Sequence, residues 1–121
     1  MKKILVVDDE APIRKMLNKL LCKESYDVFE AKNGKECIEL CRNQCFDLVI
    51  TDLIMPEKEG LESIKELKSN NPDLKIVAIS GGGIVDPGIY LKLASNLGAT
   101  RTFSKPIDND ILVATIKEIL G

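Results

Sequence analysis

Short apolar runs alternate with longer amphipathic stretches along the 121 residues of the chain. The runs are typical of parallel strands buried on both faces, and the longer stretches repeat apolar residues at helical spacing. The runs predict strands at residues 3–8, 26–31, 48–52, 74–80 and 100–104. The stretches predict helices that run from Pro12 to about Lys23, from Gly34 past Cys41, from Gly60 to Asn70, from Pro87 to Leu97, and onward from a cap at Asp108.

The regular alternation of strands and helices predicts the fold class. It requires a parallel sheet with right-handed crossovers and helices on both faces, which is a doubly wound α/β fold with five strands and five helices in a single domain over residues 1–121. Strand order does not follow from the pattern. The buried stripes of the first and last helices are expected to contain Ile13, Met16, Leu17, Leu20 and Leu21, and Ile111, Leu112, Ile116 and Ile119.

Composition narrows the class of protein. Hydrophobic residues make up 45% and charged residues 30% of the chain, as in a globular domain. The net charge of −2 favours neither direct nucleic-acid binding nor attachment to an anionic membrane. No apolar stretch approaches the roughly 20 residues of a membrane span, and residues 1–3 lead directly into a strand, so we expect a cytoplasmic protein without membrane insertion.

Four cysteines raise the question of a metal or redox site. They are Cys22, Cys37, Cys41 and Cys45, and the last three are spaced to share one helix face. The paired spacing of a thiolate metal site is missing. We therefore favour reduced residues in or beside the core, with redox or adventitious metal chemistry as the alternative.

The candidate chemistry lies where the predicted strands end. Asp8 and Asp9, Asp52, Ser80 and Lys105 all fall at carboxyl ends, which meet at one edge of a parallel sheet. Carboxylates about 4 Å apart repel by about 4 kcal/mol per pair at an effective dielectric constant of ~20, so their grouping indicates a bound cation. Oxygen ligands favour Mg²⁺, with Mn²⁺ as a second possibility. Asp52 is then a candidate nucleophile towards phosphorus, with Ser80 and Lys105 as ligands of phosphoryl oxygens.

Each of these residues also has a simpler interpretation by itself. Asp8 and Asp9 could cap the first helix, Asp52 could be a loop acid, Ser80 a turn residue and Lys105 a solvated surface lysine. The glycines at 81–83 lack the Gly-Lys-Ser/Thr sequence of a nucleotide-binding loop. The joint position of the polar residues at one edge favours a phosphoryl site.

The motifs resemble those of the response-regulator receiver domain, the phosphoacceptor module of two-component signalling. The resemblance covers essentially the whole chain and implies a flavodoxin-like receiver fold of the chemotaxis-regulator type. The matching pieces, in chain order, are Val7-Asp8-Asp9, Asp52-Leu53-Ile54-Met55-Pro56 with Gly60, Ile79-Ser80-Gly81 and Lys105-Pro106.

The resemblance also implies a role for each matching residue. Asp52 would accept a phosphoryl group from a phosphohistidine of a sensor histidine kinase or histidine phosphotransfer protein. Asp8 and Asp9, the Asp52 carboxylate and the backbone carbonyl of Ile54 would hold Mg²⁺. Ser80 would be the switch hydroxyl and Lys105 the phosphate-binding lysine, with a cis peptide between Lys105 and Pro106.

Two departures from the family pattern affect the switch and the lifetime of the phosphorylated form. Thr102 stands where the family commonly has an aromatic residue, and Phe103 should face the other side of the sheet. We therefore expect switching to involve Ser80 and Thr102 but to depend more on residues 81–87 and the fourth helix. Ile54 and Gly82 occupy positions that influence water access, and they predict slow autodephosphorylation.

The resemblance leaves several questions of partner and class open. Ile13, Leu17, Pro106 and Ile107 are candidates for kinase docking, although Ile13 and Leu17 fit a core stripe equally well. The protein would be a signalling phosphoacceptor rather than an enzyme, either diffusible or part of a longer regulator, with an unknown downstream protein target. One alternative is an interaction module that never uses its phosphoacceptor. An aspartyl-phosphate hydrolase is disfavoured because Asp8-Asp9-Glu10 is not an Asp-x-Asp pair.

Overall fold

The computed structural model describes residues 1–53, 60–80 and 87–121. It contains every predicted element, and most ends fall within one residue of the predicted ones. The strands are β1 Lys3–Val7, β2 Asp27–Ala31, β3 Leu48–Asp52, β4 Lys75–Ser80 and β5 Arg101–Ser104. The helices are α1 Ala11–Cys22, α2 Gly34–Asn43, α3 Gly60–Asn70, α4 Pro87–Asn96 and α5 Asn109–Leu120. None of the described helices is both long and apolar enough to span a bilayer.

The five strands form one parallel sheet in the order β2-β1-β3-β4-β5. The direction in which strands are added reverses at β1. The chain places β2 on one side of β1 and then crosses over to place β3 on the other side. In a doubly wound sheet, this switch point opens a crevice at the carboxyl ends of the strands. The register pairs Val7 with Thr51 and Asp52 with Ile79, so β1, β3 and β4 end at nearly the same level.

Two apolar layers cover the two faces of the sheet, and residues along each strand alternate between them. Ile4 and Val6 pack with α1 and α5, whereas Leu5 and Val7 pack with the helices on the other face. In β5, Phe103 packs on the α1 and α5 side. Thr102 pairs in register with Ala78, which belongs to the opposite layer. The predicted separation of Thr102 from Phe103 is confirmed.

Two residues predicted on buried stripes are instead exposed. Met16 is 39% exposed and Ile111 is 56% exposed. Each precedes a fully buried residue of its helix, Leu17 or Leu112. One residue rotates the side chain by about 100° around a helix axis, so these positions point away from the sheet although they fit the apolar spacing.

The cysteines also differ from the expected arrangement. The last helical residue of α2 is Asn43 and the next residue is extended, so Cys45 lies outside the helix and only Cys37 and Cys41 share its face. Cys37 is buried and Cys41 partly buried, as expected of core and boundary residues. Cys22 and Cys45 are exposed, and all four are free thiols.

Side-chain caps set the starts of two helices. The predicted cap at Asp108 is confirmed, since its carboxylate accepts hydrogen bonds from the backbone N–H groups of Asp110 and Ile111. The Asn33 side chain accepts from the N–H of Glu36, and the Glu36 carboxylate accepts from the N–H of Lys32. This arrangement resembles a capping box, with the Glu36 carboxylate on the N–H of the residue before the N-cap, and it satisfies backbone donors at the start of α2.

Gly60 begins α3 directly against the end of β3. Its N–H donates to the Leu53 carbonyl at 2.9 Å. A Cβ at this position would lie 2.5 Å from the Leu53 Cα and closer still to the Asp52 carbonyl oxygen. Because both contacts are backbone atoms, any other residue here would force the backbone to shift.

We predict that Gly60→Ala destabilises the fold by about 1–3 kcal/mol, because the added methyl group must displace backbone at the end of β3. Urea unfolding followed by circular dichroism measures the change. Ser69→Ala, at an exposed position of the same helix, is the control and should stay within about 0.5 kcal/mol of the parent. Equal stabilities for the two variants would contradict the close contact at Gly60.

Candidate functional site

Three carboxylates meet at the carboxyl edge of the sheet. Asp8 follows β1 and Asp52 ends β3, and the two are 4% and 8% exposed. Asp9 is exposed. One carboxylate oxygen from each of the three lies within 4.8 Å of the other two. The neighbouring register of β1 and β3 produces this cluster, so the structure brings together the acids that the sequence predicted.

The Lys105 ammonium places a positive charge beside the acids. Its Nζ donates to Asp52 Oδ2 at 2.8 Å and lies 3.8 Å from Asp8 Oδ2. Its backbone N–H donates to the Ser80 carbonyl at 2.8 Å, and the Lys105–Pro106 peptide is cis, as the resemblance implied. Lys105 is therefore attached to β4 through its backbone and to β3 through its side chain.

Ser80 and Thr102 lie at different levels of the sheet. Ser80 is the last residue of β4, is 2% exposed, and stands one residue beyond Ile79, the register partner of Asp52. Thr102 lies within β5, two residues before the partner of Ser80. The predictions for the Ile54 carbonyl, for Gly82 and for most of 81–87 concern residues outside the described part of the chain.

Burial and charge shift the pKa of two groups in this cluster. Burial raises the pKa of Asp8 to about 6, and the nearby Asp52 charge adds to the shift although a hydrogen bond from the Glu10 N–H opposes it. Burial alone would lower the pKa of Lys105, but its hydrogen bond to Asp52 and the charges of Asp52 and Asp8 raise it above the usual range. The lysine therefore stays charged at neutral pH and partly balances the acids.

The donor set fits a divalent cation. Asp8, Asp9 and Asp52 contribute three negative charges when ionised, and Lys105 contributes one positive charge beside them. The remaining negative charge matches a divalent ion, and an all-oxygen ligand set is the kind that Mg²⁺ and Mn²⁺ prefer. The helix-cap interpretation of Asp8 is not supported, since its Oδ1 accepts from the N–H of Glu10, which itself occupies the N-cap position of α1.

Comparison with known proteins agrees with this geometry. The family model described as response regulator receiver domain matches residues 4–117. The chain belongs to this family. It is a receiver domain, homologous to the phosphoacceptor domains of response regulators.

Curated relatives include both small and multidomain proteins. Sporulation initiation phosphotransferase F of Bacillus subtilis is 32% identical over 119 residues, which cover 98% of this chain and 94% of that protein. The transcriptional regulatory protein ZraR of Klebsiella oxytoca is 37% identical over 118 residues, which cover 98% of this chain but 26% of ZraR. The chain thus spans only about a quarter of the second relative.

Solved structures share the fold at similar identity. A receiver domain protein from Clostridium thermocellum superposes with a TM-score of 0.92 at 29% identity, covering 99% of this chain and 94% of that one. The response regulator TrrA of Thermotoga maritima, solved in complex with Mg²⁺ and BeF, gives a TM-score of 0.87 at 34% identity, with coverage of 99% and 100%.

An arginine that sequence reasoning missed fixes the turn after β1 in this receiver domain. The guanidinium of Arg14 donates to the Asp8 carbonyl at 2.7 Å and to Glu30 Oε1 on β2 at 3.3 Å. Asn18 also donates to Glu30, at 2.8 Å. Burial would raise the pKa of Glu30, but these hydrogen bonds and the charge of Lys15 lower it. A cation in the first turn of a helix interacts unfavourably with the helix dipole. The presence of Arg14 there could therefore have indicated that this residue makes a specific contact.

Only part of the predicted docking surface is accessible. Leu17 is 1% exposed and packs in the layer under α1 and α5, so it is a core residue and cannot contact a partner. Ile13 is half-buried against the same layer. Pro106 is exposed and Ile107 half-buried beside the acid cluster, so they remain candidates.

We predict that ionisation of Asp8 lowers the stability of the metal-free receiver domain as pH rises from about 4 to about 7. The folded pKa of Asp8 near 6 lies above its ordinary value of 3.8, so between these values the folded state holds a proton that the unfolded state has released. Asp8→Asn should therefore be more stable than the parent at pH 7 by about 1–2 kcal/mol, after allowance for screening by Lys105 and water.

Urea unfolding across this pH range, with chelator and then with Mg²⁺, measures the effect. Asp73→Asn removes an exposed carboxylate in the turn before β4 and serves as the control. Mg²⁺ should stabilise the parent and the control more than Asp8→Asn. A pH dependence that Asp8→Asn leaves unchanged would contradict the assignment.

Proposed function

We propose that this chain is a single receiver domain over residues 1–121 that is phosphorylated on Asp52. The donor is a phosphohistidine of a sensor histidine kinase or histidine phosphotransfer protein, and phosphorylation changes contacts with a downstream protein. The observation that carries the proposal is the position of Asp52, which lies at a strand end within 2.8 Å of the Lys105 ammonium and beside two further acids.

Asp52 is suited to be the nucleophile. It is 8% exposed at the carboxyl end of the central strand, so a donor would approach it from the carboxyl edge of the sheet. Its carboxylate oxygen forms the new bond to phosphorus while the bond from phosphorus to the histidine nitrogen breaks. The phosphohistidine, protonated on its other ring nitrogen, leaves as neutral imidazole, and the product on Asp52 is an acyl phosphate.

Lys105 and Ser80 would receive the phosphoryl oxygens. The Lys105 ammonium already contacts Asp52 Oδ2. A short movement of its flexible side chain would therefore bring it into contact with an oxygen of the phosphoryl group on Asp52. The Ser80 hydroxyl belongs to the adjacent strand end and would donate to a second oxygen. Fixed donors of this kind stabilise the charge that spreads over the phosphoryl oxygens during transfer.

The acid cluster would hold Mg²⁺, or Mn²⁺ in its place. Asp8, Asp9 and Asp52 would supply carboxylate ligands and Ile54 its backbone carbonyl. When bound, the cation would offset repulsion between the acids and an incoming phosphoryl group. Arg14, through the Asp8 carbonyl, would keep the turn that carries Asp8 and Asp9 in place.

The conformational change on phosphorylation would be transmitted from Ser80 to β5. Lys105 N–H is bonded to the Ser80 carbonyl, so a shift of Ser80 towards the phosphoryl group also pulls on the end of β5. Thr102 lies in the same short strand and would change its contacts with it. We place this activity in the cytoplasm, where the protein acts as a signalling phosphoacceptor with only weak chemistry of its own.

We predict that acetyl phosphate with Mg²⁺ adds one phosphoryl group to the parent protein and none to Asp52→Asn. The amide is a poor nucleophile and cannot form an acyl phosphate. Intact-mass spectrometry measures the adduct, and Asp47→Asn, the same change at the other end of β3, should be modified like the parent. An unmodified parent would instead support an interaction module that does not use its phosphoacceptor.

We also predict slow loss of the phosphoryl group, because the Ile54 side chain has no polar atom to orient an attacking water. The decay of the mass adduct after removal of acetyl phosphate gives the lifetime. Ile54→Gln supplies an amide and should shorten it by up to roughly tenfold. A parent lifetime of only seconds would refute this prediction.

A further inference from the structure

A cavity of about 300 Å³ lies between the carboxyl ends of α2 and α3. Phe46 and Leu74 line it and precede β3 and β4, so it opens at the amino ends of the strands, opposite Asp52. The described residues that line it are apolar side chains, carboxamides and the two thiols of Cys41 and Cys45, with no charged side chain among them. It is therefore suited to a small uncharged molecule.

Cys41 lies at this cavity with a second thiol behind it. Cys37 precedes it by one helical turn and is 0% exposed, whereas Cys41 is only partly buried. A hydrogen bond from the Cys37 thiol lowers the pKa of Cys41, and that hydrogen bond together with burial raises the pKa of Cys37. The thiol that reaches the cavity is therefore the one of the two that ionises more readily.

The two exposed cysteines, Cys22 and Cys45, provide internal references. The Cys22 thiol donates to Asn18 Oδ1 at 3.1 Å and does not line the cavity. Cys45 lines the same cavity but follows the end of α2, so it shares access with Cys41 without belonging to the same helix face as Cys37. Comparison of Cys41 with Cys22 and with Cys45 in the same chain thus separates the effect of the cavity from the effect of the Cys37 thiol.

We propose that Cys41 is a modification site for small uncharged disulfides, which enter the cavity and undergo thiol–disulfide exchange. The Cys41 thiolate attacks one sulfur of the disulfide, a bond forms between the two sulfurs, and the original disulfide bond breaks. The other half leaves as a thiolate and takes up the proton that Cys41 released. Cys41 is oxidised and the leaving sulfur reduced, so no further oxidant is required.

The rate of reaction at each cysteine tests the proposal. The native chain is treated with dithiodipyridine, a neutral disulfide, quenched at intervals and mapped by peptide mass spectrometry. We expect Cys41 to react at least about fivefold faster than Cys22 at pH 7 and to have the lower midpoint in its pH–rate profile. The ratio of the Cys41 rate to the Cys22 rate should fall with dithiobis(nitrobenzoate), a dianionic disulfide.

Substitutions at Cys37 test the source of the reactivity. Cys37→Ala removes the donor and should slow Cys41 severalfold, while Cys37→Ser keeps a hydroxyl donor and should retain most of the rate. A Cys22 rate equal to or above that of Cys41, or no effect of Cys37→Ala, would overturn the proposal. If these variants do not fold, the pH–rate profiles of the native chain decide.

The site is independent of the proposed phosphorylation. Cys41→Ser should abolish the fast phase of disulfide exchange and leave the acetyl phosphate adduct on Asp52 unchanged. The two inferences can therefore fail separately, because one is measured at the amino ends of the strands and the other at their carboxyl ends.

Discussion

Burial of the Asp8 and Asp52 carboxylates side by side is the constraint on which the rest of this receiver domain depends. Both side chains are taken out of water at the edge of the sheet, and burial of a carboxylate is costly unless a positive charge or hydrogen bond compensates it. The Lys105 ammonium contacts Asp52 and lies near Asp8, so it compensates both in part. The raised pKa of Asp8 shows that this compensation is incomplete.

The surrounding structure maintains this unfavourable arrangement. Arg14 ties the turn after β1 to β2 through Glu30, which prevents Asp8 from moving away from Asp52. Gly60 lets the start of α3 pack against the end of β3, where a side chain would displace Asp52. These contacts keep the acids close together, which is the arrangement that a divalent cation requires.

Much of this was predictable from sequence because short-range rules determine it. The apolar runs identified the strands, and Asp8, Asp52, Ser80 and Lys105 were recognisable because each follows such a run. The strand order and the Arg14–Glu30 contact were not predictable, since both depend on which strands become neighbours. Met16 and Ile111 show the limit of helical periodicity, which identifies an apolar face but not how wide a strip of it the sheet covers.

The position of Lys105 has a mechanical consequence. Asp52 belongs to β3, which has a paired neighbour on each side, whereas Lys105 follows β5, an edge strand of four residues that pairs only with β4. The proposed acceptor thus lies in a strand held by pairing on both sides, and its counter-charge follows a strand held on one side. A change of charge at Asp52 could therefore be transmitted outward by displacement of the β5 edge, at little cost to the centre of the sheet.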